Sequence, residues 1–63
     1  MRVREIEPRY YEVTVGEKWY SAVQLGDGSY HVMNHQGRVI RQGSAIYRAV
    51  VAAIEARTAE ERP

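Results

Sequence analysis

One stretch decides what this chain can fold into. Residues 44–57, S-A-I-Y-R-A-V-V-A-A-I-E-A-R, are the only segment that reads as an amphipathic helix. Ile46, Ala49, Val50, Ala53 and Ile54 recur at the i, i+3, i+4, i+7, i+8 spacing of one helical face, and Ser44, just after Gly43, stands where an N-cap hydroxyl is wanted. In a chain of 63 residues no second helix is available to cover that face. The residues before it must therefore supply a sheet, because an apolar stripe needs another apolar layer to lie on.

Those residues carry strand patterning. Segment 10–15 (Y-Y-E-V-T-V) is rich in β-branched and aromatic residues and alternates with period 2, and 19–25, 29–34 and 38–42 read as the second, third and fourth strands. Gly16-Glu17-Lys18, Gly26-Asp27-Gly28 and His35-Gln36-Gly37 separate them with hairpin chemistry. A two-residue loop at Asp27-Gly28 sets Leu25 opposite Tyr30 and Val23 opposite Val32. A three-residue loop at 35–37 sets Val32 opposite Ile40, and one at 16–18 sets Val15 opposite Trp19 and Val13 opposite Ser21. With these registers Tyr11, Val13, Val15, Trp19, Val23, Leu25, Tyr30, Val32 and Ile40 share one face, under Ile46, Val50, Ala53 and Ile54. The expected fold is α+β: a four-stranded antiparallel β-meander packed on one C-terminal α-helix. Residues 1–9 are expected to be an arm or short edge strand, ended by Pro8, 10–57 the single domain, and 58–63 a frayed tail.

A chain of this length buries only about 60% of the surface it exposes when unfolded. With no cysteine it has neither disulfides nor a thiolate metal site to reinforce a small core. Oligomerisation is the remaining device, and a homodimer is expected. The helix offers a surface for it: Ala45, Ala49, Ala52 and Ala56 form a small-residue stripe beside the core stripe, where a second backbone can come close, and an exposed sheet edge is the other option. The first residues lack the apolar run of a signal peptide, and nothing approaches the ~20 apolar residues of a membrane span, so a cytoplasmic protein without membrane contact is expected.

Subtracting the core leaves an outer sheet face that, in these registers, presents Tyr10, Glu12, Thr14, Tyr20, Ala22, Gln24, His31, Met33, Val39 and Arg41. Tyr10, Tyr20, Gln24, His31, Met33 and Arg41 are residue types suited to recognition, and a protein partner binding there is the first functional expectation. Nucleic acid is the alternative, with Arg41 on the sheet face and Arg2, Arg4 and Arg9 on phosphates. Nine basic against eight acidic residues, a formal charge of +1, give no general pull toward a polyanion. His31 and His35 are the only histidines and Asp27 the only aspartate. His31 on the outer face and His35 in a turn share no side for a metal, and Ser21, Ser29 and Ser44 have no histidine and carboxylate to activate them. No enzyme activity, metal or cofactor is expected, and Trp19 reads as core rather than as a stacking platform.

The run G-D-G-S-Y-H-V, followed by R-Q-G-S and an alanine-rich helix ending I-E-A, resembles HicB-type antitoxin domains. Gly28-Ser29-Tyr30, Gly37-Arg38-Val39-Ile40 and the helix from Tyr47 to Glu55 are also similar to YegP-type domains, and the βββα shape resembles integrase arm-binding domains. The first resemblance implies a protein that binds and inhibits a small toxin and often dimerises, and the functional expectation is a small inhibitor, antitoxin or phage-type accessory protein. The last implies a sheet face that reads a DNA groove.

Overall fold

The computed structural model describes residues 1–61. A four-stranded antiparallel sheet in the order β1-β2-β3-β4 carries one helix on one face. The strands are β1 (Arg2–Glu7), β2 (Tyr10–Val15), β3 (Lys18–Gln24) and β4 (Tyr30–Asn34), and the helix is α1 (Ala45–Glu61).

The expected class, meander and helix are all present, but the strands are not the expected four. The N-terminal segment is a full edge strand. Val3 pairs with Val13 and packs on the core, and Pro8-Arg9 makes the turn into β2. Pro8 suits the first turn position, and Arg9 takes the left-handed second one at φ 69°, with its carbonyl accepting the Gln24 N–H at 2.8 Å. Ile6 is the extra residue of a β-bulge between Glu5 and Glu7. By contrast, segment 38–42 forms no strand. The Met33–Val39 bridge, the Ile40 N–H bond to the Val32 carbonyl (2.8 Å) and bonds between Arg38 and Asn34 tie it to β4. The 35–37 loop is as expected: Gly37 is left-handed at φ 82°, the Asn34 N–H meets the Arg38 carbonyl at 2.9 Å, and Val32 faces Ile40.

The other two loops correct the expected registers. Gly16-Glu17 is a two-residue loop, with Val15 opposite Lys18. A three-residue loop would need the left-handed residue at Lys18, whereas the chain has its glycine first, at φ 63°, as a two-residue primed turn requires. Gly26-Asp27-Gly28 is a three-residue loop, closed by the Leu25 N–H on the Ser29 carbonyl at 2.7 Å. A two-residue turn would force Asp27 left-handed as well. Here only Gly28 is, at φ 92°, and the Asp27 carboxylate accepts the Ser29 N–H (3.0 Å) and hydroxyl (2.6 Å).

Both corrections slide β3 by one residue in the same sense, so it turns over while β2 and β4 keep their faces. Tyr20 and Ala22 point toward α1, with Val13, Tyr30, Val32, Val50 and Ile54 completing the buried core. Trp19, Val23 and Leu25, expected inside, belong to the other face, and Trp19 and Leu25 are 45% and 44% exposed.

At the helix start the expected cap is formed. The Ser44 hydroxyl accepts the Tyr47 N–H at 3.1 Å and donates to the Arg41 carbonyl at 2.8 Å. Val50 and Ile54 are fully buried, and Ile46, Ala53, Tyr47 and Val51 pack around them. The helix continues past Arg57, so residues 58–61 of the expected tail are helical. The Thr58 hydroxyl donates to the Ile54 carbonyl at 3.0 Å, and Arg57 pairs with Glu61 at 2.8 Å. Residues 62–63 of that tail lie outside the described residues.

Candidate functional site

The uncovered face of the sheet is built in three cross-strand rows. Glu7, Tyr10, Val23 and His31 form the first; Arg4, Glu12, Ser21, Met33 and Val39 the second; Arg2, Thr14 and Trp19 the third. His35 extends the third row, its ring 6.2 Å from the Trp19 ring and tilted by 53°. Leu25 stands one residue beyond Gln24, at the start of the β3–β4 loop. In the central row Ser21 is only 8% exposed because Glu12 and Met33 flank it on the neighbouring strands.

The face has two unlike halves. Over β3, β4 and the Val39 bridge it is apolar: Trp19, Leu25 and Val39 are exposed, and Val23 and Met33 half-buried. Over β1 and β2 it is charged, with the Arg4 guanidinium 4.0 Å from the Glu12 carboxylate and Arg2 beside Thr14. Leaving a tryptophan and a leucine half in water forgoes on the order of 1 kcal/mol or more for each. A chain this small keeps such a surface at a real cost to stability. Four of the six exposed large apolar side chains among the described residues, Tyr10, Trp19, Leu25 and Val39, belong to this one side, while Ile6 is in β1 and Met1 just before it.

Of the residues expected to bind a partner, Tyr10, His31 and Met33 are on this face. Tyr20 and Gln24 are not. Tyr20 is 7% exposed beneath α1. Gln24 points to the helix side, into a cleft of about 370 Å³ that it lines with Tyr11, Tyr30, Glu55 and Thr58. Burial, with Tyr11, Glu55 and Tyr47 adding to it, pushes the Tyr30 phenol above its ordinary pKa. Arg41 sits in the bend before α1, where its carbonyl serves the Ser44 cap, rather than on a fourth strand. His31 lies opposite Val23 on the uncovered face, while Gln24 faces the helix side. Trp19, Val23, Leu25 and His35 are the residues of this face that sequence reasoning did not assign to it. The signal was present in the position of Gly16, first rather than third in its turn.

The alanine stripe divides: Ala45, Ala52 and Ala56 are exposed, and Ala49 is half-buried. Arg2 and Arg4 lie on the uncovered face and Arg9 in the β1–β2 turn, so the basic residues expected to meet phosphates do not converge with Arg41. No described helix is long and apolar enough to cross a membrane. Comparison with family models, curated proteins and solved structures finds no match to this chain.

Proposed function

We propose that this is a small non-catalytic accessory or inhibitory protein that binds a protein partner through the uncovered face of its sheet. One observation carries the reading: turning β3 over leaves Trp19, Val23 and Leu25 beside Met33 and Val39 in a single apolar patch on a face that no other layer of the described residues covers. Tryptophan and methionine in the apolar half, beside the charged Arg4 and Glu12 of the other half, are among the residue types found at interface centres and rims. An antitoxin-like or phage-type regulator fits that surface, and the cytoplasm is where we place it. The alanine flank, Ala45, Ala49, Ala52 and Ala56, supplies a homodimer contact that sedimentation across micromolar concentrations tests.

The experiment for the partner surface is site-specific photo-crosslinking in the source cells. A crosslinker at Leu25 or Val39 is expected to trap the same protein, and one at Arg48 on the solvent side of α1 to trap none. Equal trapping from both sides, or trapping from Arg48 alone, contradicts the reading.

A second reading, single-stranded nucleic acid, draws on the exposure of Trp19 and Tyr10, whose rings could stack bases near Arg2 and Arg4. Glu7 and Glu12 on the same face weigh against it. Binding to mixed DNA or RNA with a steep salt dependence would promote this reading over the first.

A further inference from the structure

The two edges of the sheet are finished differently. At β4 most of the outward backbone groups are taken. The Tyr47 hydroxyl donates to the Tyr30 carbonyl at 3.0 Å and accepts the Tyr30 N–H at 3.4 Å, Ile40 N–H meets the Val32 carbonyl, and Asn34 N–H meets the Arg38 carbonyl. At β1 they are open. The two-residue loop makes Val15–Lys18 a hydrogen-bonded pair, and the Gln24 bond to the Arg9 carbonyl keeps the same phase. Odd residues of β2 therefore bond to β3 and even ones to β1. Arg2 and Arg4 bond to Thr14 and Glu12, and the N–H and C=O groups of Val3 and Glu5 point away from the sheet. Among the described residues only the Val3 carbonyl is met there, by Nη1 of Arg57 at 3.1 Å.

Beside this edge, between β1 and α1, runs a groove of about 430 Å³ lined by Met1, Val3, Ala53, Ala56, Arg57 and Glu60. Side chains on β1 alternate accordingly. Val3 and Glu5 face the groove side, opposite Val13 and Tyr11, while Arg2 and Arg4 face the uncovered side, opposite Thr14 and Glu12. Arg2 has no carboxylate within 4.0 Å among the described residues, and Arg4 reaches Glu12 only at 4.0 Å.

We propose that the β1 edge accepts an extended strand of a partner protein whose side chains alternate acidic, apolar, acidic. The partner's backbone pairs with Val3 and Glu5, its apolar side chain enters the groove beside Val3, and its two carboxylates lie opposite Arg2 and Arg4. Main-chain bonds supply the affinity of such strand addition, and the alternate side chains supply its selectivity. The Arg57 guanidinium yields the Val3 carbonyl to the incoming N–H and stays bonded to Glu61 through Nε, at 2.8 Å. A second copy of the chain does not fit. The antiparallel registers that match outward groups place Arg4 against Arg4, Arg2 against Arg4, or Glu5 against Glu5, and in-register parallel pairing sets every like charge together. Arg2 and Arg4 belong as well to the charged half of the uncovered sheet face, but strand addition at β1 does not require a partner on the apolar half.

The test titrates the full chain with a blocked Glu-Val-Glu-Val-Glu peptide, and separately with its Lys-Val-Lys-Val-Lys counterpart, and follows amide exchange and chemical shifts residue by residue. The acidic peptide is expected to protect the Val3 and Glu5 amides and to shift Ala53 and Ala56, with the lysine peptide at least about tenfold weaker. Glu5→Pro removes an outward donor without touching the β1–β2 ladder, and proline is tolerated at such edge positions, so it should abolish the protection at Val3. Arg2→Glu with Arg4→Glu should reverse the preference between the peptides, which keeps the test decisive if the proline variant fails to fold. Shifts at Trp19 and Met33 instead, no saturable shift, an unchanged preference in the charge-reversed variant, or Glu5 protection that grows with protein concentration alone would each overturn the proposal.

Discussion

At the scale of single residues, the Tyr47 hydroxyl has the clearest task. It stands in for a neighbouring strand, satisfying both the N–H and the carbonyl of the buried Tyr30 at the end of β4. Tyr47→Phe keeps the ring and removes both bonds, leaving two backbone groups without a partner beneath the helix. The expected loss is about 1 to 3 kcal/mol, read as a lowered urea midpoint with an unchanged slope. An unchanged midpoint would mean that water serves Tyr30 equally well. This contact was not legible in the sequence, because it joins residues seventeen apart along the chain. The Ser44 cap and the left-handed Gly37 were legible, since each is settled within a turn of its own neighbours.

At the scale of elements, the decisive event is the turning over of β3. Its alternation, W-Y-S-A-V-Q-L, puts apolar residues on both faces, so hydrophobicity alone does not choose the register and the turns must. The sequence reading favoured the side with more apolar bulk, Trp19, Val23 and Leu25. The chain instead follows the glycines: Gly16 first in a two-residue loop and Gly28 last in a three-residue one. The fully buried Ala22 then lets α1 lie close to the sheet, where a larger side chain would hold it away. A pair of substitutions separates the two registers. Ala22→Lys places an unpaired charge in the core and is expected to cost more than about 4 kcal/mol, enough to unfold a domain of this size. Val23→Lys lies on the uncovered face and is expected to cost within about 1 kcal/mol. Thermal melts showing the reverse order would restore the sequence-based register. Because β2 and β4 are unaffected by the slide, Tyr11, Val13, Val15, Tyr30, Val32 and Ile40 were placed correctly even though the strand between them was not.

At the scale of the whole molecule, the fold is a single sheet with one dry face, one bare face, one closed edge and one open edge. The class of the fold followed from a lone amphipathic helix that needed a sheet, and that reasoning survives the exchange of the expected strand at 38–42 for β1. The outer face was half legible: Tyr10, His31 and Met33 were assigned to it, but its most apolar residues, Trp19, Val23 and Leu25, were assigned to the core. Charge complementarity at the β1 edge was hidden for a different reason. Which backbone groups point outward depends on the hydrogen-bond phase of the ladder, and the residue pattern alone does not set that. This arrangement of the sheet requires Trp19 to stand on an uncovered apolar face rather than beneath the helix. Acrylamide quenching of its fluorescence, with the folded chain at low micromolar concentration, tests this most directly, since the chain has only one tryptophan. Quenching close to half that of the unfolded chain or greater is expected, in line with a tryptophan 45% exposed. A blue-shifted emission that acrylamide barely touches would place Trp19 in the core and contradict it.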